Sequence, residues 1–187
     1  MSERAALCKR YNLSPLPPSV PARRLFLGGL IAEDSWTSLN IVATEAKNMF
    51  EAAVFVESTL TQSKFDRDIR FSEGSDDLAR LKSLWGQTKV VVDIWRVDQI
   101  EFGDEKKFNP GPMEREQLQR QRVLSVWKRL GMKPNDVGII ADADETFTHA
   151  ALLAARHCQV SVFEVSAAEE QEMRAGARRN SDMDARS

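Results

Sequence analysis

Short apolar runs alternating with amphipathic stripes constrain this chain more than any other feature. Leu25-Phe26-Leu27-Gly28-Gly29-Leu30, Ala52 to Val56, Lys89 to Trp95, Val137 to Ala141 and Val160 to Val165 each have the length and composition of a buried strand. Between them lie helical stripes. Leu39 to Phe50 spaces Leu39, Val42, Ala43, Ala46 and Phe50 on one face, and Asp76 to Trp85 aligns Leu78, Leu81 and Trp85. Glu114 to Leu130 aligns Leu118, Val123, Leu124, Trp127 and Leu130 and stops at Gly131, and a further helix is expected over His149 to His157. Wholly apolar strands need cover on both faces, so the pattern predicts an α/β fold: a mostly parallel sheet with helices on both faces. Ligands of such sheets bind beyond the carboxyl ends of the strands.

The length, 187 residues, fits one domain with an apolar core. Pro15, Pro17, Pro18 and Pro21 make residues 1–22 an expected extended segment outside that core. Residues 23–165 hold the alternating pattern. Residues 166–187 are polar and lack aromatics, which predicts a frayed helix or a disordered tail. Gly28 and Gly29 are expected where the chain turns out of the first strand. Cys8 and Cys158 are too few for a disulfide framework, and Cys158 reads as a small core side chain that identifies no redox compartment. The net charge of -2 creates no global field for nucleic acid or an anionic membrane, so recognition must be local. No segment approaches the roughly 18 consecutive apolar residues of a membrane span, and the start lacks the layout of a secretory signal.

The acidic cluster Asp142-Ala143-Asp144-Glu145 directly follows the apolar run Val137 to Ala141. Carboxylates crowded against a low-dielectric wall repel one another, and a hard divalent cation with oxygen ligands relieves that repulsion. Such a cation bridges to a diphosphate and stabilises the charge that develops as a bond breaks. The plainer alternative is that Asp144 or Thr146 caps the following helix.

Around these residues the chain resembles glycosyltransferase family 17. Asn135-Asp136-Val137-Gly138-Ile139-Ile140-Ala141-Asp142-Ala143-Asp144-Glu145 is similar to the family's Asp-Asp-Val-x-Ile-Ile-x-Asp-x-Asp-Glu-Ile signature. Val54-Phe55-Val56-Glu57-Ser58-Thr59-Leu60-Thr61 resembles its Phe-Val-x-x-Glu-Ser-x-x-Thr segment, and Glu116 to Arg120 resembles the helix before the signature. The resemblance spans roughly residues 23–164. It implies a Rossmann-like nucleotide-sugar fold of the GT-A type, with Mn2+ or Mg2+ as cofactor. It also implies transfer of N-acetylglucosamine from UDP-GlcNAc to a mannosyl residue of a glycoprotein N-glycan, in a Golgi membrane or lumenal setting. The chain departs from the family in carrying Thr146-Phe147 where Ile-Pro is usual. It also has little sequence after the signature for acceptor contacts and a catalytic base, so an incomplete or inactive copy is a second expectation.

The resemblance and the local chemistry together assign roles. Asp144 is expected to ligate the metal, Asp142 to contact the metal or the ribose, and Glu145 to orient these ligands or to compensate a helix N-terminus. Glu57 is expected to hydrogen-bond uracil or ribose, or else to be a solvated strand-end carboxylate. Lys64, Arg67 and Arg70 could approach phosphate, or simply lie in a solvated loop. Arg120 is expected either beside the nucleotide or in an ion pair with Glu116 one helical turn away. His149 reads as a helix-surface residue, and Trp36, Trp85, Trp95 and Trp127 read as core or groove wall.

Two other function classes fit the residues. Asp142-Ala143-Asp144-Glu145-Thr146 also resembles the Asp-x-Asp-x-Thr pattern of haloacid dehalogenase-type phosphatases, where the first Asp is the nucleophile. That chemistry needs a later lysine, and none follows Lys133. The other class is a non-catalytic remnant that keeps nucleotide-sugar binding alone.

Overall fold

A computed structural model describes residues 2–32, 34–61, 65–96, 111–142 and 145–159. The expected strand 160–165 and the polar tail lie outside these residues, as does most of the charged loop before Pro112. The elements in chain order are α1 (Glu3–Arg10), β1 (Ser14–Pro15), β2 (Leu25–Ile31), α2 (Trp36–Glu45), β3 (Ala52–Ser58) and α3 (Asp76–Leu84). There follow β4 (Lys89–Trp95), α4 (Pro112–Arg129), β5 (Val137–Ile140), α5 (His149–His157) and β6 (Cys158–Gln159). The fold is mixed α/β. Its main sheet has the order β4-β3-β2-β5, with every neighbouring pair parallel.

Alternation along the strands builds two cores. Leu25, Leu27, Ile31, Ala53 and Phe55 face α2, α3 and α5 through Leu39, Val42, Leu78, Leu81 and Leu152. Phe26, Ala52, Val54 and Val56 face α4 through Val123, Val126 and Trp127. The helical cover on both faces expected from the apolar runs is therefore present. Leu124, placed on the apolar stripe by its spacing, is 44% exposed, while Val126 is buried in its stead. Helix α2 starts three residues earlier than its stripe suggests, because the Ser35 hydroxyl accepts the Ser38 amide. It ends at Glu45, and Asn48 at φ 59 closes the turn that carries Ala46 and Phe50 into the core.

The glycines of β2 do not mark a turn; they lie inside the strand. A Cβ on Gly28 would collide with Val123 and Trp127, and one on Gly138 of β5 would collide with the Trp127 ring. These bare positions let α4 approach the sheet, where Trp127 donates its indole N–H to the Leu27 carbonyl at 3.1 Å. Asp136, just before β5, accepts from Arg24 at 2.6 Å and from the Lys133 amide at 2.7 Å. It is a joint at the amino end of the sheet, opposite Asp142.

The proline-bearing N-terminus is not simply extended. Helix α1 is capped by Ser2 and carries basic residues in its last turn. Cys8 forms a disulfide with Cys158, 150 residues away, and both are fully buried. Cys158 is thus a covalent staple and not a lone core thiol. β1 pairs antiparallel with β6, and the Leu16 amide donates to the His157 carbonyl at 2.9 Å. Residues 2–22 lie outside the main sheet, and β6 and the Cys8–Cys158 bond hold α1 and β1 to the segment after α5.

A cleft at the topological switch point

β2 runs to β3 and β4 through α2 and α3 on one face, and the chain then returns through α4 on the other face to place β5 against β2. The strand order reverses between β2 and β5, so loops leave their carboxyl ends in opposite directions and a crevice opens between them. A cavity of about 410 Å³ lies there. The end of β2 contributes Leu30, Ile31 and Ala32, followed by Asp34, and the end of β5 contributes Asp142. β3 and its loop add Ser58, Leu60, Thr61 and Arg67, while α4 adds Arg115, Glu116 and Gln119.

Of the residues expected at a site, Asp142 reaches the cavity with its side chain 59% exposed. Its Oδ1 accepts from Arg120 Nη2 at 3.2 Å, and the same guanidinium donates to Glu116 Oε1 at 2.9 Å. Arg120 thus forms the expected ion pair with Glu116 and also reaches the strand-end acid, without itself lining the cavity. Glu145 closes the turn after β5. Its Oε2 accepts the Asp142 amide at 3.0 Å, and its own amide donates to the Asp142 carbonyl at 3.0 Å. Glu145 does not line the main cavity; it borders a void of about 10 Å³ beside Gly29 and Leu39, room for one water at most. The N-cap of α5 is Thr148, whose hydroxyl accepts the Ala151 amide, so Thr146 does not cap this helix. Asp144 and Ala143 lie outside the described residues, as does Lys64.

Glu57 does not take the ligand-facing position expected of it. It is 1% exposed, and its oxygens accept the amides of Arg70 and Phe71, both at 2.9 Å. A buried carboxylate requires such partners, and here they fasten the loop after β3 to the sheet. Arg70 is likewise committed elsewhere. It pairs with Asp77 at 2.6 Å, donates to the Asp34 carbonyl at 2.9 Å and stacks 4.5 Å from the Trp36 ring, which Arg80 covers at 4.1 Å. Arg67 does line the cavity, anchored by two hydrogen bonds to the Ser58 carbonyl at 3.2 and 2.7 Å. His149 is exposed at the start of α5, outside the cavity. Trp85, Trp95 and Trp127 are buried.

The structure adds two residues that the sequence reading passed over. Asp34 lies just beyond β2, and its Oδ2 accepts the Ala32 amide at 2.7 Å. It is a strand-end acid like Asp142, and only the sheet order brings the two to one cavity. Arg115 is 3% exposed and lines the cavity. Its signal was present: it stands three residues before Leu118 and eight before Val123, a charge on the apolar stripe of α4.

The cavity wall thus combines carboxylates from Asp34, Glu116 and Asp142 with guanidinium groups from Arg67 and Arg115. Arginines suit phosphate oxygens, and carboxylate oxygens suit a hard divalent cation. Among the described residues no three histidine, cysteine or acidic side chains converge as a metal site. Also among them, no helix is long and apolar enough to cross a membrane. No family model, curated protein or solved structure matches the chain.

Proposed function

We propose that this cavity binds a nucleoside diphosphate sugar in the GT-A manner and that the protein transfers N-acetylglucosamine from UDP-GlcNAc to a mannosyl residue of an N-glycan. The observation that carries the reading is the switch-point cleft with Asp142 on one wall and Arg67 and Arg115 on the others. A diphosphate needs cationic groups from the protein, and Arg67 and Arg115 on the cavity wall are groups of that kind. The exposed carboxylate of Asp142 is a donor of the right chemistry for Mn2+ or Mg2+, with Asp144 two residues on as its partner ligand. A cation bound there supplies charge neutralisation for the departing diphosphate. Glu145 pins the Asp142 backbone from outside the cavity, which suits the positioning role expected of it. The Cys8–Cys158 disulfide supports an oxidising, lumenal setting, consistent with the Golgi.

A non-catalytic sugar-nucleotide binder is the second reading. It is favoured by the Arg120–Asp142 pair, which offsets the Asp142 charge without any cation. Calorimetry with UDP and UDP-GlcNAc, with and without manganese, followed by a transfer assay on a mannose-terminated N-glycan, separates the two. Manganese-dependent binding with transfer supports the enzyme, and binding without transfer or hydrolysis supports the binder. Absence of UDP binding at millimolar concentration with manganese present rejects both.

A further inference from the structure

Among the described residues, Phe65 is 72% exposed, next to a cavity that it does not itself line. An aromatic ring left in water has no folding role to explain it. Single exposed apolar side chains are common on protein surfaces; this one is distinguished by the backbone that carries it, which bonds to residues of the cavity wall. The Phe65 backbone is fastened to the wall residue Thr61. Its amide donates to the Thr61 hydroxyl at 3.0 Å, and its carbonyl accepts the Thr61 amide at 2.9 Å. Leu60 bridges to Asp66, and the Arg67 amide donates to the Thr59 carbonyl at 2.8 Å. Leu60, Thr61 and Arg67 are themselves cavity wall, so the wall holds the backbone that carries the ring. Met113, 77% exposed, follows the wall residue Pro112 on the α4 side.

We propose that Phe65 is the stacking platform for a sugar ring of the acceptor, an inference that rests on the donor-site reading above. A pyranose presents a face of C–H groups that packs on an aromatic ring while its hydroxyls remain hydrated. A half-exposed or exposed ring is therefore the right partner for a carbohydrate. The charged interior of the cleft, with Arg67, Arg115, Asp34 and Asp142, matches a diphosphate and not a neutral glycan. The Phe65 ring is open to solvent and is not one of the cavity-lining side chains, which leaves its face free for a neutral ligand. A platform held by backbone bonds loses little freedom on binding, which favours affinity.

The test uses the full chain and a mannose-terminated oligosaccharide, followed by saturation-transfer NMR and titration, with UDP-GlcNAc and manganese titrated separately. Phe65→Ala is expected to weaken the glycan roughly five- to tenfold, the size of an aromatic contact, while Phe65→Trp restores it and neither changes donor affinity. Unaltered glycan affinity in Phe65→Ala, or no glycan binding by the wild type, overturns the proposal. Equal losses for glycan and donor overturn it too, by assigning Phe65 to the nucleotide. Glycan binding that depends on Phe65 in a protein that fails to bind UDP-GlcNAc rejects the donor reading and leaves the platform standing.

Discussion

Arg120 Nη2 is shared between Glu116 on its own helix, at 2.9 Å, and Asp142 at the end of β5, at 3.2 Å. One guanidinium thereby ties α4 to the mouth of the strand whose carboxylate borders the cleft. The Asp142 side chain is 59% exposed, so this pair adds little to folding. Asp142→Asn should leave stability within about 0.5 kcal/mol of the wild type. It should also lower manganese-dependent UDP-GlcNAc affinity by at least roughly tenfold, as loss of a charged ligand does. Calorimetry on a variant of unchanged melting temperature checks both; retained affinity removes Asp142 from the site.

Glu57 offers the contrasting case, a strand-end acid whose partners are the protein's own amides. Glu57→Gln keeps one oxygen to accept one of these two amides and sets an NH2 donor against the other, which loses its acceptor. The expected cost is about 1–3 kcal/mol of stability, read from urea denaturation. UDP-GlcNAc affinity measured well below the unfolding transition should not change. Lost affinity at full stability would return Glu57 to the nucleotide.

The Cys8–Cys158 bond closes a loop that spans most of the chain. Constraining so long a loop in the unfolded state is worth about 2–5 kcal/mol. Denaturation with and without reductant should show a loss of that order, as should Cys8→Ser paired with Cys158→Ser. The loss should appear first as release of α1 and β1, since the main sheet does not depend on them; amide exchange across residues 3–15 reads this directly.

Stability should fall in acid in two steps. Burial, with Arg4 and Arg156 nearby, holds His157 below its ordinary value of 6.5. The unfolded chain therefore takes up this proton first, and stability is complete above pH 6.5 and declines as pH falls from there toward the folded value. For Asp136, burial opposes ionisation, but the Arg24 guanidinium and the Lys133 amide outweigh it and hold the carboxyl below 3.8. Its contribution is present above pH 3.8 and is lost as pH falls further. His157→Gln should remove the first step from a plot of melting temperature against pH and leave the second. An unchanged first step assigns it to another group.

Periodicity is local, and it alone determined most of the elements here. β2 to β5, α3, α4 and α5 all lie where the apolar spacing of the sequence puts them, because a side chain's face depends only on its position along its own strand or helix. The emergence of Asp142 at a strand end was legible for the same reason. Which strand lies beside which was not. Asp34 and Asp142 are more than a hundred residues apart in the chain, and the order β4-β3-β2-β5 brings them to one cleft. That order depends on α4 fitting against Gly28 and Gly138, a match between distant surfaces that no single window of sequence contains. Glu57 and Cys158 show the same limit: a carboxylate's partners and a thiol's partner are set by what the folded chain brings within a few ångströms, and only the tertiary structure decides that.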